Sequence, residues 1–305
     1  MTRFISALGA VLFFFASLFP GLFDLPQTPS GQKLNLDERF TLVWSDEFDG
    51  DSLDKTKWGY PWWVTMRKGG YWHEDMVRVE DGNLIISTEY KSEPLENSYY
   101  EKWHEQINFD EFKPGYYTGC IRTADKFEGL YGYYEVRCLL PAATGMWSAF
   151  WMMNEGVYNV DDSGEDGTEV DIFESMRYKD HWWKAGDSVV TGIHYDGYGE
   201  GHKNDSIGYF YANNPYEEYN TYGLEWNPDE YIFYINGVET GRLSTGGVSK
   251  NPEYLILSCE VAGENGVADA DRHGTGKITH TPEENWPAEF IVDYVRVYQY
   301  NEYIN

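Results

Sequence analysis

From Gly167 to Glu174 the chain reads Gly-Thr-Glu-Val-Asp-Ile-Phe-Glu, so three carboxylic acids, Glu169, Asp171 and Glu174, fall within six residues of an otherwise apolar run. Two carboxyl groups held close together can cleave an acetal, one attacking the anomeric carbon while the other lends its proton to the departing oxygen. In a β-strand side chains alternate between faces, which sets Glu169, Asp171 and Phe173 on one side and Val170, Ile172 and Glu174 on the other. A one-residue bulge between Asp171 and Glu174 returns Glu174 to the face of Glu169. The Cα atoms of the two glutamates then stand about 13 Å apart, roughly four strand rises, a gap that two inward-leaning side chains close. Carboxyl groups about 5–5.5 Å apart suit double displacement with retention, whereas about 6.5–9.5 Å suits inversion through a water. On this reading Glu169 is the nucleophile, Glu174 the acid/base, and Asp171 holds and tunes the nucleophile. Three like charges so close cannot all ionise cheaply, so at least one carboxyl is expected to keep its proton. The bland alternative is an acid-decorated edge strand facing water. Val170, Ile172 and Phe173, with Met176 beyond, argue for a sheet interior, where unpaired carboxylates are costly unless they have partners or chemistry.

Elements able to position such a strand are written along the chain. Long helical periodicity is absent; short runs rich in Val, Ile, Tyr and Trp are separated by Gly, Asn, Asp and Pro. Tyr231 to Val238 reads as a hairpin turning at Asn236-Gly237. The pattern predicts a β-sandwich, and the length suits one large all-β domain. No 20-to-50-residue repeat or low-complexity tract is present.

With these runs in view, the sequence resembles glycoside hydrolase family 16 in its bulged, laminarinase-like form. Beyond the acid motif, the matching runs are Thr41 to Gly50, Asp81 to Leu84, Tyr131 to Arg137, Gly145 to Trp151, Tyr222 to Trp226 and Val292 to Tyr298, in the family's order. The resemblance covers about residues 40–300. It implies a concanavalin A-like β-jelly-roll sandwich of two antiparallel sheets with a concave substrate cleft. It also implies retaining hydrolysis of β-linked glucans or galactans, with no cofactor for catalysis. A structural calcium is implied as well, on Glu47, the carbonyl of Gly82 and Asp293, a hard-oxygen set. His194, at a strand end where the family often has a His or aromatic residue, is a candidate donor to sugar hydroxyls; a structural histidine is the alternative. Trp147, Ala149 and Trp151 share a face by parity, and if that face looks onto the cleft the two tryptophans are stacking platforms rather than core. Trp62, Trp63, Trp182 and Trp183 read as residues of rim loops. Two departures from the family bear on substrate. Arg67 to Asp75 replaces an Asn-rich segment, and Cys120 stands where relatives often have an Arg, with Arg122 of the same parity able to substitute. An insertion from about Glu93 to Phe112 is expected to cap one end of the cleft.

The net charge of −28 weighs against nucleic acids and anionic membranes, and against sulfated galactans, which would call for local Arg and Lys clusters; a neutral polysaccharide fits better. Aromatic residues make up 18% of the chain, more than a sandwich core needs, which supports sugar stacking. Residues 1–26, with Arg3 ahead of an apolar stretch, read as a secretory signal peptide, with a retained anchor as the alternative; 27–39 reads as a linker and 301–305 as a tail. The domain is therefore expected to be extracytoplasmic and monomeric. Cys120, Cys138 and Cys259 fall in strand-like runs and read as buried thiols or as one disulfide plus a free thiol. His73 and His104 lack a second ligand at zinc spacing. The leading expectation is an endo-β-glucanase on β-1,3 or mixed β-1,3/1,4 glucan. Rivals are an agarase-type galactanase, a β-1,4-glucan-backbone hydrolase or transglycosylase, and a lectin on the same sandwich.

Overall fold

The computed structural model describes residues 26–61, 64–96, 112–177, 188–268 and 288–304. Trp62, Trp63, Trp182, Trp183, the leader up to residue 25 and most of the insertion, 97–111, lie outside the described residues. The described chain forms two large antiparallel-dominated sheets packed face to face, one of six strands and one of eleven. The six-stranded sheet runs Lys203–Tyr211, Ser188–Tyr195, Glu169–Met176, Met146–Met153, Tyr254–Val261, Cys120–Arg122. The acids therefore sit on an interior strand, flanked on both sides by paired backbone. This is the sandwich expected from the strand pattern.

Alternation divides each strand between the core and the outer face. Phe150 and Met152 of Met146–Met153 and Leu255, Leu257, Cys259 and Val261 of Tyr254–Val261 enter the core, against Tyr134, Val136 and Cys138 of Gly132–Leu139 and Phe290, Val292 and Val295 of Ala288–Tyr300. Their neighbours of opposite parity, among them Trp147, Trp151, Ile256, Ser258 and Glu260, face the other way and line a cleft. All three cysteines are buried free thiols, so the core uses them as small apolar side chains.

The Asn236-Gly237 turn joins Tyr231–Ile235 to Val238–Leu243, with both residues at positive φ, 50° and 69°. That is the two-residue turn whose twist matches the flanking strands. Asn236 also accepts the Thr221 N–H through Oδ1 and donates to Asn220, tying the turn to its neighbour.

The segment expected as a linker is bound instead. Gln27 donates its N–H to Tyr209, Gly31 to Glu239 and Leu34 to Gly237, and a one-turn helix, Leu36–Arg39, leads into the first strand, Phe40–Asp46. The sequence lacked a strand-like pattern here because the contacts are isolated bridges of backbone rather than a ladder. No helix among the described residues is long and apolar enough to cross a membrane.

Candidate active site

The strand Glu169–Met176 is irregular where the acids require it. Against Met146–Met153 its register slips between Asp171 and Phe173, and against Ser188–Tyr195 between Asp171 and Glu174. Ile172 and Phe173 both turn into the core, Phe173 packing on Tyr222 with ring centroids 4.3 Å apart. The bulge therefore gives two consecutive apolar side chains to the sandwich interior and leaves Glu169, Asp171 and Glu174 together on the outer face, lining one cleft of about 700 Å³. Carboxylate atoms of Glu169 and Asp171 and a ring nitrogen of His194 lie within 4.8 Å of one another.

Each acid has a distinct environment. Burial, then the charges of Asp171 and Glu169, push the Glu174 carboxyl well above the ordinary carboxylate range. Burial and then Glu169 push Asp171 upward as well. The Trp147 indole N–H donates to Glu174 Oε1 at 2.9 Å, fixing the rotamer and leaving Oε2 to carry a proton. The Tyr198 hydroxyl donates to Glu169 Oε2. Burial and crowding thus favour the protonated forms of Glu174 and Asp171 while a hydroxyl orients Glu169, an arrangement able to supply both an acid and a nucleophile.

The structure brings Trp147, Trp151, His194 and Arg122 into this cleft with the acids. Trp151 donates to Ser258 Oγ at 3.1 Å. Arg122, the residue expected to stand in for an arginine at Cys120, lies over the Tyr254 ring at 5.5 Å. His194 pairs in register with Glu169 and sets Nε2 3.3 Å from Asp171 Oδ2, while Nδ1 is 2.8 Å from His202 Nε2. It therefore reaches the acids themselves as well as the cleft space where hydroxyls would lie.

Several cleft residues were not expected from the sequence. Tyr198 and His202 lie on the link after Ser188–Tyr195, where strand parity says nothing about direction. Glu260 follows Ser258 and Ile256 on the cleft face of its strand, a parity that could have found it; it accepts from Arg67 Nε at 2.7 Å, and the unusual Arg67 to Asp75 run thereby enters the cleft wall. Lys68 sets its ammonium 4.9 Å from the Trp147 ring.

Two residues of the expected calcium set, Glu47 and Asp293, are paired with arginines. Arg296 takes both Glu47 oxygens, at 3.0 and 2.7 Å, Arg137 takes Asp293 Oδ2, and Gly82 sits in a two-residue turn. Each carboxylate has acceptor sites beyond those that the guanidinium groups take, and with the Gly82 carbonyl the set keeps the hard-oxygen chemistry that suits calcium.

Comparison with known proteins agrees with the geometry. The family model for the β-porphyranase A–D, GH16 domain, matches residues 41–300. The glucan endo-1,3-β-glucosidase A1 of Niallia circulans is 27% identical over 289 residues, covering 85% of this chain and 38% of that protein. The β-glucanase of Rhodothermus marinus is 25% identical over 277 residues, covering 86% of each. Among solved structures, SCLam, a non-specific endo-β-1,3(4)-glucanase, superposes with a TM-score of 0.65 at 26% identity, covering 90% of this chain and 97% of that one. With the match running through nearly every strand of the sandwich and both ends of the acid motif, the chain belongs to glycoside hydrolase family 16.

Proposed function

We propose that the protein is a retaining endo-β-glycanase that cuts β-1,3 or mixed β-1,3/1,4 glucan through a glycosyl ester on Glu169. The observation that carries this reading is the bulge, which turns three carboxyls onto one face of an interior strand, where burial raises the proton affinity of Asp171 and Glu174. Glu174 gives its proton to the glycosidic oxygen while Glu169 attacks the anomeric carbon, and the deprotonated Glu174 then takes a proton from the water that hydrolyses the ester. Asp171 and His194 hold the nucleophile's surroundings, and Trp147 and Trp151 offer flat apolar faces to sugar rings. The glucanases among the relatives support the polymer. An extracytoplasmic location is part of the same proposal and is supported by the apolar leader.

A second reading is a β-galactan carrying anionic groups. It is supported by the porphyranase model and by Arg67, Lys68 and Arg122 in the cleft wall, a basic cluster inside a strongly acidic protein. The test is reducing-sugar release by the purified protein from barley mixed-linkage glucan, laminarin, agarose and porphyran in parallel, with Glu169→Gln as control. Cleavage of a glucan that is lost in the variant supports the first reading, and cleavage of a galactan alone moves the protein to the second. Binding without cleavage of any polymer makes it a lectin. NMR of the first product should show the β-anomer; initial α-anomer would rule out retention.

A further inference from the structure

The link between Ser188–Tyr195 and Lys203–Tyr211 carries a residue that touches the nucleophile, 29 positions beyond it in sequence. Tyr198 is half exposed, yet its hydroxyl donates to Glu169 Oε2, and among the described residues no other hydrogen bond to the Glu169 carboxylate is made.

The link is built to aim that hydroxyl. Asp196 and Gly197 turn the chain at φ of 60° and 71°. The Asp196 carboxyl, almost wholly buried, accepts the N–H groups of Asp161 and Asp162, and its other oxygen lies 3.3 Å from Lys203 Nζ. Gly197 donates its own N–H to the Val157 carbonyl at 2.6 Å. The Tyr198 ring is set between Tyr158, centroid 5.7 Å away, and His202, centroid 5.9 Å away. The His202 ring is parallel to that of His194, with planes 3° apart, and meets it edge to edge through the 2.8 Å Nε2 to Nδ1 contact. A turn anchored at both ends and a ring flanked on two sides leave the hydroxyl little freedom.

We propose that Tyr198 positions and electronically tunes Glu169, and that its contribution falls mainly on the second half of the reaction, the release of sugar from the nucleophile. The inference rests on the glycosidase reading above. In the first half, a Glu169 lone pair on Oε1 forms the bond to the anomeric carbon as the glycosidic C–O bond breaks; that electron pair goes to the leaving oxygen, which takes the Glu174 proton. Oε2 becomes the carbonyl oxygen of an ester and loses most of its charge, so its bond from Tyr198 weakens. In the second half, water attacks the anomeric carbon, gives its proton to Glu174, and the ester C–O electron pair returns to Glu169. Charge reappears on Oε2, where the hydroxyl is already aimed. A donor fixed at an oxygen that gains charge stabilises the step in which the charge develops and opposes the step in which it is spent.

The discriminating experiment is Tyr198→Phe, which keeps the ring and its neighbours and removes the donor. It is assayed on whichever polymer of the four-member panel the wild type cuts, with intact mass spectrometry of acid-quenched enzyme during turnover. Loss of one hydrogen bond to a charged group should lower kcat about tenfold to hundredfold. KM should fall by a similar factor, kcat/KM should change little, and glycosyl-enzyme should accumulate. Gly197→Ala, which strains the turn at positive φ while its new Cβ meets nothing closer than 3.8 Å, should show the same split more weakly. A Tyr198→Phe enzyme with wild-type kcat and KM overturns the assignment. So does one in which kcat/KM falls with unchanged or higher KM and no accumulated ester, the signature of a residue that merely shapes the cleft. If the wild type cuts none of the polymers, the glycosidase reading falls and the inference falls with it; if it cuts and the variant is unchanged, only the role of Tyr198 falls.

Discussion

At Glu174 burial and like charge act together, and the consequence is a pH dependence with a definite sign. Its carboxyl is held well above the ordinary range by desolvation first and by Asp171 and Glu169 second. The proton is therefore held to higher pH than on an ordinary glutamate, and activity should be lost as pH rises through the raised value, giving the basic limb of kcat/KM. Asp171→Asn removes one neighbouring negative charge, makes the Glu174 proton easier to lose, and should move that limb to lower pH. Glu174→Gln should cost about 10²–10⁴-fold on polymer and much less on an aryl glycoside whose leaving group needs no proton. Measured pH–rate profiles and the ratio of polymer to aryl-glycoside rates check both. The same acids were readable from residue type and spacing alone, but Tyr198, which contacts one of them, was not. Its position is fixed by a turn, and a turn residue's direction follows from its φ/ψ values and not from parity.

For the strand, the bulge lets two consecutive apolar residues enter the core while the three acids stay on the cleft face. Deleting Ile172 would remove the extra residue and leave Glu-Val-Asp-Phe-Glu, whose plain alternation keeps all three acids on the cleft face but takes one apolar side chain out of the core, so the variant should keep measurable activity while melting lower, as circular dichroism would show. The start of this strand has its own support. Thr168, just before Glu169, donates its N–H to the buried Glu253 carboxyl at 3.3 Å, and burial pushes that carboxyl up to about 8. A folded-state value above the unfolded one of 4.5 means the native state binds the extra proton. Its contribution to stability is complete below about 4.5 and is lost as pH rises through about 8. Glu253→Gln, which cannot ionise, should melt a few degrees above the wild type at pH 9, with the gap closing by pH 5. The strand, its bulge and the Asn236-Gly237 hairpin were all legible, because period-two patterning and turn chemistry are local. Glu253 gave no such signal: its burial and its hold on Thr168 come from a partner 85 residues away.

For the whole molecule, surface and cleft carry different charge. The net value of −28 sums the whole chain, whereas in the cleft Arg67, Lys68 and Arg122 gather with Glu169, Asp171, Glu174 and Glu260 in near balance. Total charge therefore argues against nucleic acid and anionic membranes more strongly than it argues against an anionic sugar. If the substrate is a neutral glucan, KM should be nearly constant as salt shortens the screening length from about 30 Å at 0.01 M to about 3 Å at 1 M. If it is a sulfated galactan, KM should respond to salt, and Lys68→Ala should raise it several-fold for that polymer alone. Steady-state kinetics across ionic strength separates the two.

The sequence by itself determined the all-β sandwich, the bulged acid strand and the tryptophans that share its face, since alternation and turn residues act over a few positions and survive in the linear pattern. Only the tertiary structure decided which side chains from distant segments meet those acids: Tyr198 at Glu169, His202 behind His194, Glu260 with Arg67, and arginines on Glu47 and Asp293. It also decided that residues 27–39 lie against the sandwich instead of linking to it. Those pairings depend on how strands far apart in the chain are ordered and how their links turn. Spacing along a sequence does not encode either.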